Sequence, residues 1–130
     1  MMGYQKLLDE TYQLTAQGQI EKFKKYLAED VVWIESVGFP YAGTYKGPDA
    51  VVENVHMKLG IEWEGYKATP KAYTFNGQAV MVYGEYSGTF KATGKSFVTD
   101  FVHYYVFNDE NKVAKFTQVV DSVPVLEAMK

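Results

Sequence analysis

The segment from Phe97 to Asp121 constrains the fold most. It reads F-V-T-D-F-V-H-Y-Y-V-F, then a polar N-D-E-N-K, then V-A-K-F-T-Q-V-V-D. Two runs rich in β-branched and aromatic residues, joined by a short polar turn, predict a β-hairpin. Each strand carries one isolated ionisable residue among apolar neighbours, His103 and Asp121. A third such group, Glu35, follows Val31-Val32-Trp33-Ile34 on an earlier strand. Three titratable groups set in apolar strands point to a pocket rather than a plain core.

The rest of the chain supplies more strands and a helical layer. Asn76-Gly77 is a hairpin signal between strands at 71–75 and 79–90, and Thr93-Gly94 makes the next turn. Tyr4, Leu7, Leu8 and Leu14 form a helical stripe over 4–17, with Gly18 as its C-cap. A short second helix puts Ile20, Phe23 and Leu27 on one face. Residues 31–36 read as a strand, and 37–47 as a loop with an extended piece at Thr44-Tyr45. Gly47-Pro48-Asp49 opens a third helix running to about Leu59 and burying Val52, Val55 and Leu59. The tail, 124–130, reads as a short helix or as a cover for a sheet edge. The order predicts an α+β fold, with three N-terminal helices packed on a strongly curved antiparallel sheet that encloses a pocket. Residues 1–130 are expected to form one domain.

Composition narrows the function classes. A net charge of −3 leaves no electrostatic footprint for nucleic acid. No cysteine is present, which removes disulfide and thiolate chemistry. No apolar run approaches the roughly 18 residues of a membrane span, and no signal-peptide core is seen at the N-terminus, so a cytoplasmic location is the expectation. Gly94-Lys95-Ser96 has the ending of a phosphate-binding loop, but Thr89 stands where the first glycine is required. Two histidines far apart in sequence make no metal-site spacing. The expected partner is a small hydrophobic ligand, with no cofactor, metal, nucleic acid or membrane.

Two stretches, Y-L-A-E-D-V-V-W-I-E-S-V-G-F-P-Y-A-G-T-Y-K-G-P-D-A-V (26–51) and the closing hairpin 97–121, carry a resemblance. In order and spacing they resemble the nuclear transport factor 2-like superfamily, in particular its SnoaL-like polyketide cyclase and ketosteroid isomerase branches. The resemblance implies a cone-shaped α+β barrel and a homodimer. It places Glu35, in E-S-V-G, at the isomerase's general-base aspartate, and His103 at its protonated oxyanion-hole aspartate. Asp121 matches the acid/base aspartate of the cyclases. Thr11 stands where the isomerase has its oxyanion tyrosine, with Tyr12 one residue out of register. The glutamate is also one methylene longer than the isomerase's aspartate.

Strand alternation adds the lining independently. Trp33 shares a face with Glu35; Phe101, His103, Tyr105 and Phe107 share another; Thr117, Val119 and Asp121 share a third. The expected catalytic set is Glu35, His103 and Asp121, and the expected substrate-binding set is Thr11, Trp33, Phe101, Tyr105 and Val119. Burial would raise the carboxyl pKa values and lower that of histidine, as acid/base work near neutrality requires. Glu35 or Asp121 would move a proton at an acidic C–H or at an epoxide or carbonyl oxygen. His103 would donate a hydrogen bond to the oxygen on which charge develops. His56 reads as a helix-flank residue. Three function classes fit: a cofactor-free isomerase, cyclase or hydrolase on a small apolar oxygenated molecule, a non-catalytic binder of such molecules, and a dimeric interaction module.

Overall fold

The computed structural model describes residues 3–130. Helices α1 (Tyr4–Ala16) and α2 (Ile20–Lys24) lead into β1 (Leu27–Glu35) and the short β2 (Gly43–Lys46). A third helical stretch follows as α3 (Pro48–Val51), a π-helical turn (Val52–His56) and α4 (Met57–Glu62). Four long strands come next, β3 (Trp63–Asn76), β4 (Ala79–Phe90), β5 (Ser96–Phe107) and β6 (Val113–Val120), and α5 (Val123–Ala128) closes the chain. Leu27, expected on the second helix, is instead the first residue of β1, which is longer than the sequence pattern indicated.

The strands form one open six-stranded sheet in the order β2-β1-β6-β5-β4-β3. All neighbours are antiparallel except β1 and β6, which run parallel, with Trp33 opposite Phe116 and Ile34 opposite Thr117. The expectation of an all-antiparallel sheet is corrected at that one seam. β1 is reached from the helical layer and cannot form a hairpin with a strand some eighty positions later. The parallel seam brings Glu35 beside Gln118, which donates from Nε2 to Glu35 Oε1 at 3.4 Å.

Two irregularities set the curvature and the faces. In β3 the register shifts between Glu64 and Lys67, where Gly65 takes φ +64°, and again between Pro70 and Ala72. Such bulges bend a strand and re-aim its side chains, and proline is tolerated because β3 is an edge. In β6 the pairing passes from Phe107↔Val113 to Val106↔Lys115, so one extra residue is inserted at Ala114. A one-residue slip turns every later side chain to the other face. Phe116 and Gln118 therefore point inward, and Thr117 and Val119 outward.

The helices cover the concave face over a largely aromatic core. Trp33 stacks on Phe116 at 3.7 Å, Phe101 on His103 at 3.9 Å, and Tyr86 on Phe101 at 4.5 Å. Gly84 makes room for this stack. A Cβ there would clash with the Thr69 carbonyl oxygen and would meet the tip of Phe101 at 2.6 Å. We expect Gly84→Ala to lower stability by about 1–3 kcal/mol through overpacking, read as a lower urea midpoint with unchanged m. An unchanged midpoint would show that the close approach is not tight.

Candidate functional site

Beneath the helices lies a cavity of about 220 Å³. Its walls come from α1 (Thr11, Tyr12), the helical stretch (Val55, His56, Leu59), β1 (Trp33, Glu35), the start of β3 (Trp63, Tyr66), and inward residues of the central strands (Tyr86, His103, Tyr105, Phe116). Each wall follows from local sequence. On α1, Tyr12 lies four residues beyond the fully buried Leu8, on the same helical face. On β4 and β5 the inward positions alternate as Val80, Val82, Gly84, Tyr86 and as Phe101, His103, Tyr105.

A continuous hydrogen-bonded chain runs along the floor. The Ser36 N–H donates to Gln118 Oε1 at 3.0 Å, which orients the amide. Gln118 Nε2 then donates to Glu35 Oε1 and, at 2.8 Å, to Tyr86 Oη. The Trp33 indole N–H donates to the other Glu35 oxygen at 3.2 Å. Tyr86 Oη lies 2.5 Å from His103 Nε2, and His103 Nδ1 lies 2.8 Å from Tyr12 Oη. Tyr105 O–H donates to Tyr12 at 3.0 Å.

A neutral imidazole carries one N–H. With the proton on Nδ1, Tyr86 donates to Nε2 and Tyr12 accepts from both His103 and Tyr105, leaving the Tyr12 proton without a protein acceptor. With the proton on Nε2, Tyr12 donates to Nδ1 and the surplus proton sits on Tyr86. Both tyrosines line the cavity. In either tautomer one hydroxyl proton remains for a bound molecule.

Burial keeps the interior neutral. Glu35 is 5% exposed, and desolvation pushes its carboxyl up to about 8, with the Trp33 hydrogen bond opposing in part. Desolvation holds His103 well below its ordinary value, and the nearby His56 adds to this. His56 is pushed down to about 4 by burial, offset slightly by the Val51 carbonyl, although no atom meets Nδ1 at hydrogen-bonding geometry. At pH 7 the acid is thus protonated and both imidazoles are uncharged.

The structure gathers five of the eight expected site residues around the cavity: Glu35, His103, Thr11, Trp33 and Tyr105. His103, with both ring nitrogens engaged by tyrosines, sits where it positions donors rather than donating to a ligand itself. The Thr11 hydroxyl donates to the Leu8 carbonyl at 2.7 Å, so the reaching group on α1 is Tyr12. Phe101 packs beneath Tyr86 and His103 and does not line the cavity.

Val119 and Asp121 lie elsewhere. Val119 is 61% exposed on the outer face of the sheet. Asp121 is exposed, and its carboxylate accepts the Val123 N–H at 3.1 Å at the start of α5. The inserted residue at Ala114 is the reason, since an uninterrupted register would have turned this set inward. Sequence reasoning missed Gln118, Tyr12 and Tyr66, and set His56 aside. The alternation Phe116, Gln118, Val120 and the helical spacing from Leu8 to Tyr12 and from Val52 to His56 were signals for three of them. Among the described residues no cluster of histidine, aspartate and glutamate suits a metal ion. No helix among them is long and apolar enough to cross a membrane.

The shift of Glu35 makes stability depend on pH. Its folded-state pKa lies above the ordinary value of 4.5, so the folded form holds a proton that the unfolded chain releases. The stabilisation is complete below about 4.5 and declines, by up to about 1.4 kcal/mol per pH unit, until about pH 8. Denaturant unfolding of the wild type and Glu35→Gln from pH 5 to 9 should show the variant gaining on the wild type up to about pH 8 and no further. Parallel pH profiles would show that Glu35 titrates normally.

Comparison with known proteins places this geometry in a family. The SnoaL-like domain matches residues 8–116. A nuclear transport factor 2-like protein of Burkholderia thailandensis is 33% identical, with a TM-score of 0.91 over 100% of this chain and 99% of that one. TerC, co-crystallised with polyporic acid, is 21% identical, with a TM-score of 0.85 over 97% of each chain. A Catenulispora acidiphila protein with a ketosteroid isomerase-like fold, in complex with trimethylamine, is 12% identical, with a TM-score of 0.80 over 90% of this chain and 86% of that one. The last two likenesses are of fold alone. No curated protein matches the sequence. The chain belongs to the SnoaL-like family and has the nuclear transport factor 2-like fold.

Proposed function

We propose that this protein is a cofactor-free proton-transfer enzyme of the isomerase or cyclase type, acting next to a carbonyl of a small, neutral, largely apolar molecule. One observation carries the reading: a buried carboxyl tuned near neutrality and a surplus tyrosine proton border the same cavity. Glu35 removes a proton from carbon and returns it elsewhere on the ligand. The Tyr12 or Tyr86 hydroxyl hydrogen-bonds the oxygen on which enolate charge develops. Trp33 and Gln118 hold the carboxylate once it forms, since both donate to it. Small molecules bound by TerC and by the Catenulispora protein support the use of this fold as a pocket.

A second reading is a non-catalytic ligand carrier. It is favoured by the hydrogen bonds that already join Gln118, Tyr86, His103, Tyr12 and Tyr105 and leave only one hydroxyl proton to hold a ligand. In either case a homodimer would close over the outer sheet face, where Met81, Tyr83, Tyr104 and Val119 are exposed.

The two readings separate by exchange chemistry. With 2-tetralone in deuterium oxide, the enzyme reading expects catalysed deuterium incorporation at the α-carbon that rises with pH and levels off near 8. Glu35→Gln should remove at least about a hundredfold of it, the low end of a general-base contribution. Tyr12→Phe and Tyr86→Phe should each leave a reduced rate, since the other hydroxyl remains. Binding of 2-tetralone without exchange above background would select the carrier.

A further inference from the structure

Among the described residues, three buried side-chain polar atoms have no hydrogen-bond partner: His56 Nδ1, Tyr66 Oη and Ser122 Oγ. Two of the three belong to residues that line the cavity. Both of these sit at irregular backbone. His56 ends the π-helical turn in the helical stretch, and Tyr66 follows the Gly65 bulge in β3. Regular helix and regular strand would have cost less, and such irregularities re-aim side chains at functional positions. Buried polar groups are otherwise paired in native proteins, so each exception calls for a cause.

The surroundings are aromatic, and the Val51 carbonyl near the His56 ring does not meet Nδ1 at hydrogen-bonding geometry. His56 is enclosed by Phe23 at 4.6 Å and Trp33 at 5.6 Å, and Tyr66 by Trp63 at 5.6 Å and Tyr86 at 5.4 Å, all ring centroid to centroid. The Tyr86 hydroxyl is already committed to Gln118 and His103. These two groups thus differ from the floor of the cavity, where every polar side chain has a protein partner and one hydroxyl proton is left over.

We propose that His56 and Tyr66 form a second polar subsite, each making to the bound molecule the hydrogen bond it lacks within the protein. The subsite rests on the pocket reading given above and adds a statement about the ligand. The ligand carries hydrogen-bonding atoms beyond the carbonyl held by Tyr12 or Tyr86. It carries no full charge: Glu35 is protonated at neutral pH, and Lys67, the cation on the cavity wall, is exposed to solvent. At about 220 Å³ the cavity suits a molecule of one or two rings with short oxygen substituents.

Matched probes test this. Acetophenone offers the carbonyl alone; 3,5-dihydroxyacetophenone adds two hydroxyls that cannot bond to that carbonyl. By isothermal titration calorimetry the wild type should bind the dihydroxy compound about tenfold more tightly, the order expected of one or two added hydrogen bonds. His56→Phe and Tyr66→Phe should each erase most of that advantage and weaken acetophenone far less. Tyr12→Phe should weaken both probes alike. Equal losses for both probes in His56→Phe and Tyr66→Phe, or no loss for either, would overturn the subsite. If neither probe binds the wild type at millimolar concentration, the pocket reading itself fails, and the subsite with it. Tyr66→Phe removes a single oxygen and is the milder variant should His56→Phe not fold. A measurement on the unmodified chain stands beside them: with only two histidines present, imidazole ¹⁵N shifts can be followed on saturation with the dihydroxy probe. Movement of the His56 resonances supports the subsite; stationary His56 resonances while His103 responds would overturn it.

Discussion

A polar group taken into an apolar interior must find a partner there or cost about 1–3 kcal/mol. Glu35, Gln118, His103, Tyr12, Tyr86 and Tyr105 are buried beneath the helices, and their arrangement answers that demand. Ser36 orients Gln118, Gln118 serves both Glu35 and Tyr86, Tyr86 meets His103, and His103 meets Tyr12, which Tyr105 also reaches. The links join β1, β6, β4, β5 and α1, so the chain of hydrogen bonds reports on the whole fold. Any shift of one strand against its neighbour would break a link and strand a buried donor or acceptor.

Aromatic packing gives this network its low dielectric surroundings. Phe101 and Phe116 lie against the His103 ring at 3.9 and 4.7 Å, and Trp33 covers Phe116. Desolvation raises Glu35 and lowers His103 for the same reason: each charged form would lose its water. The aromatic content that supports the core is thus also what tunes the acid. Gly84 belongs to the same system, because only a residue without Cβ lets Phe101 settle beneath Tyr86.

Much of this was readable beforehand, and the limits have physical reasons. Period-2 alternation on β1 and β5 is uninterrupted over the relevant residues, so Trp33, Glu35, His103 and Tyr105 were assigned to the correct wall. On β6 the same rule applied to Thr117, Val119 and Asp121 chose the outer face. The composition 116–121 is ambiguous there, with Val119 and Val120 adjacent and no polar stripe to set the phase. One inserted residue at Ala114 decided it. His56 was set aside because a helix-flank reading is the ordinary fate of a histidine beside valines, and the π-helical turn that carries it has no compositional mark.

The sequence by itself determined the strands, their turns, the helical layer and the presence of titratable residues in apolar settings. Those follow from side-chain branching, spacing and turn chemistry, which are local properties. Tertiary structure decided which of those residues meet. The β1–β6 seam, the bulges in β3 and β6 and the placement of α1 over β5 are contacts between positions distant in the chain. Their register is selected by packing and by the need to pair buried polar atoms, and neither is written in any short stretch of residues.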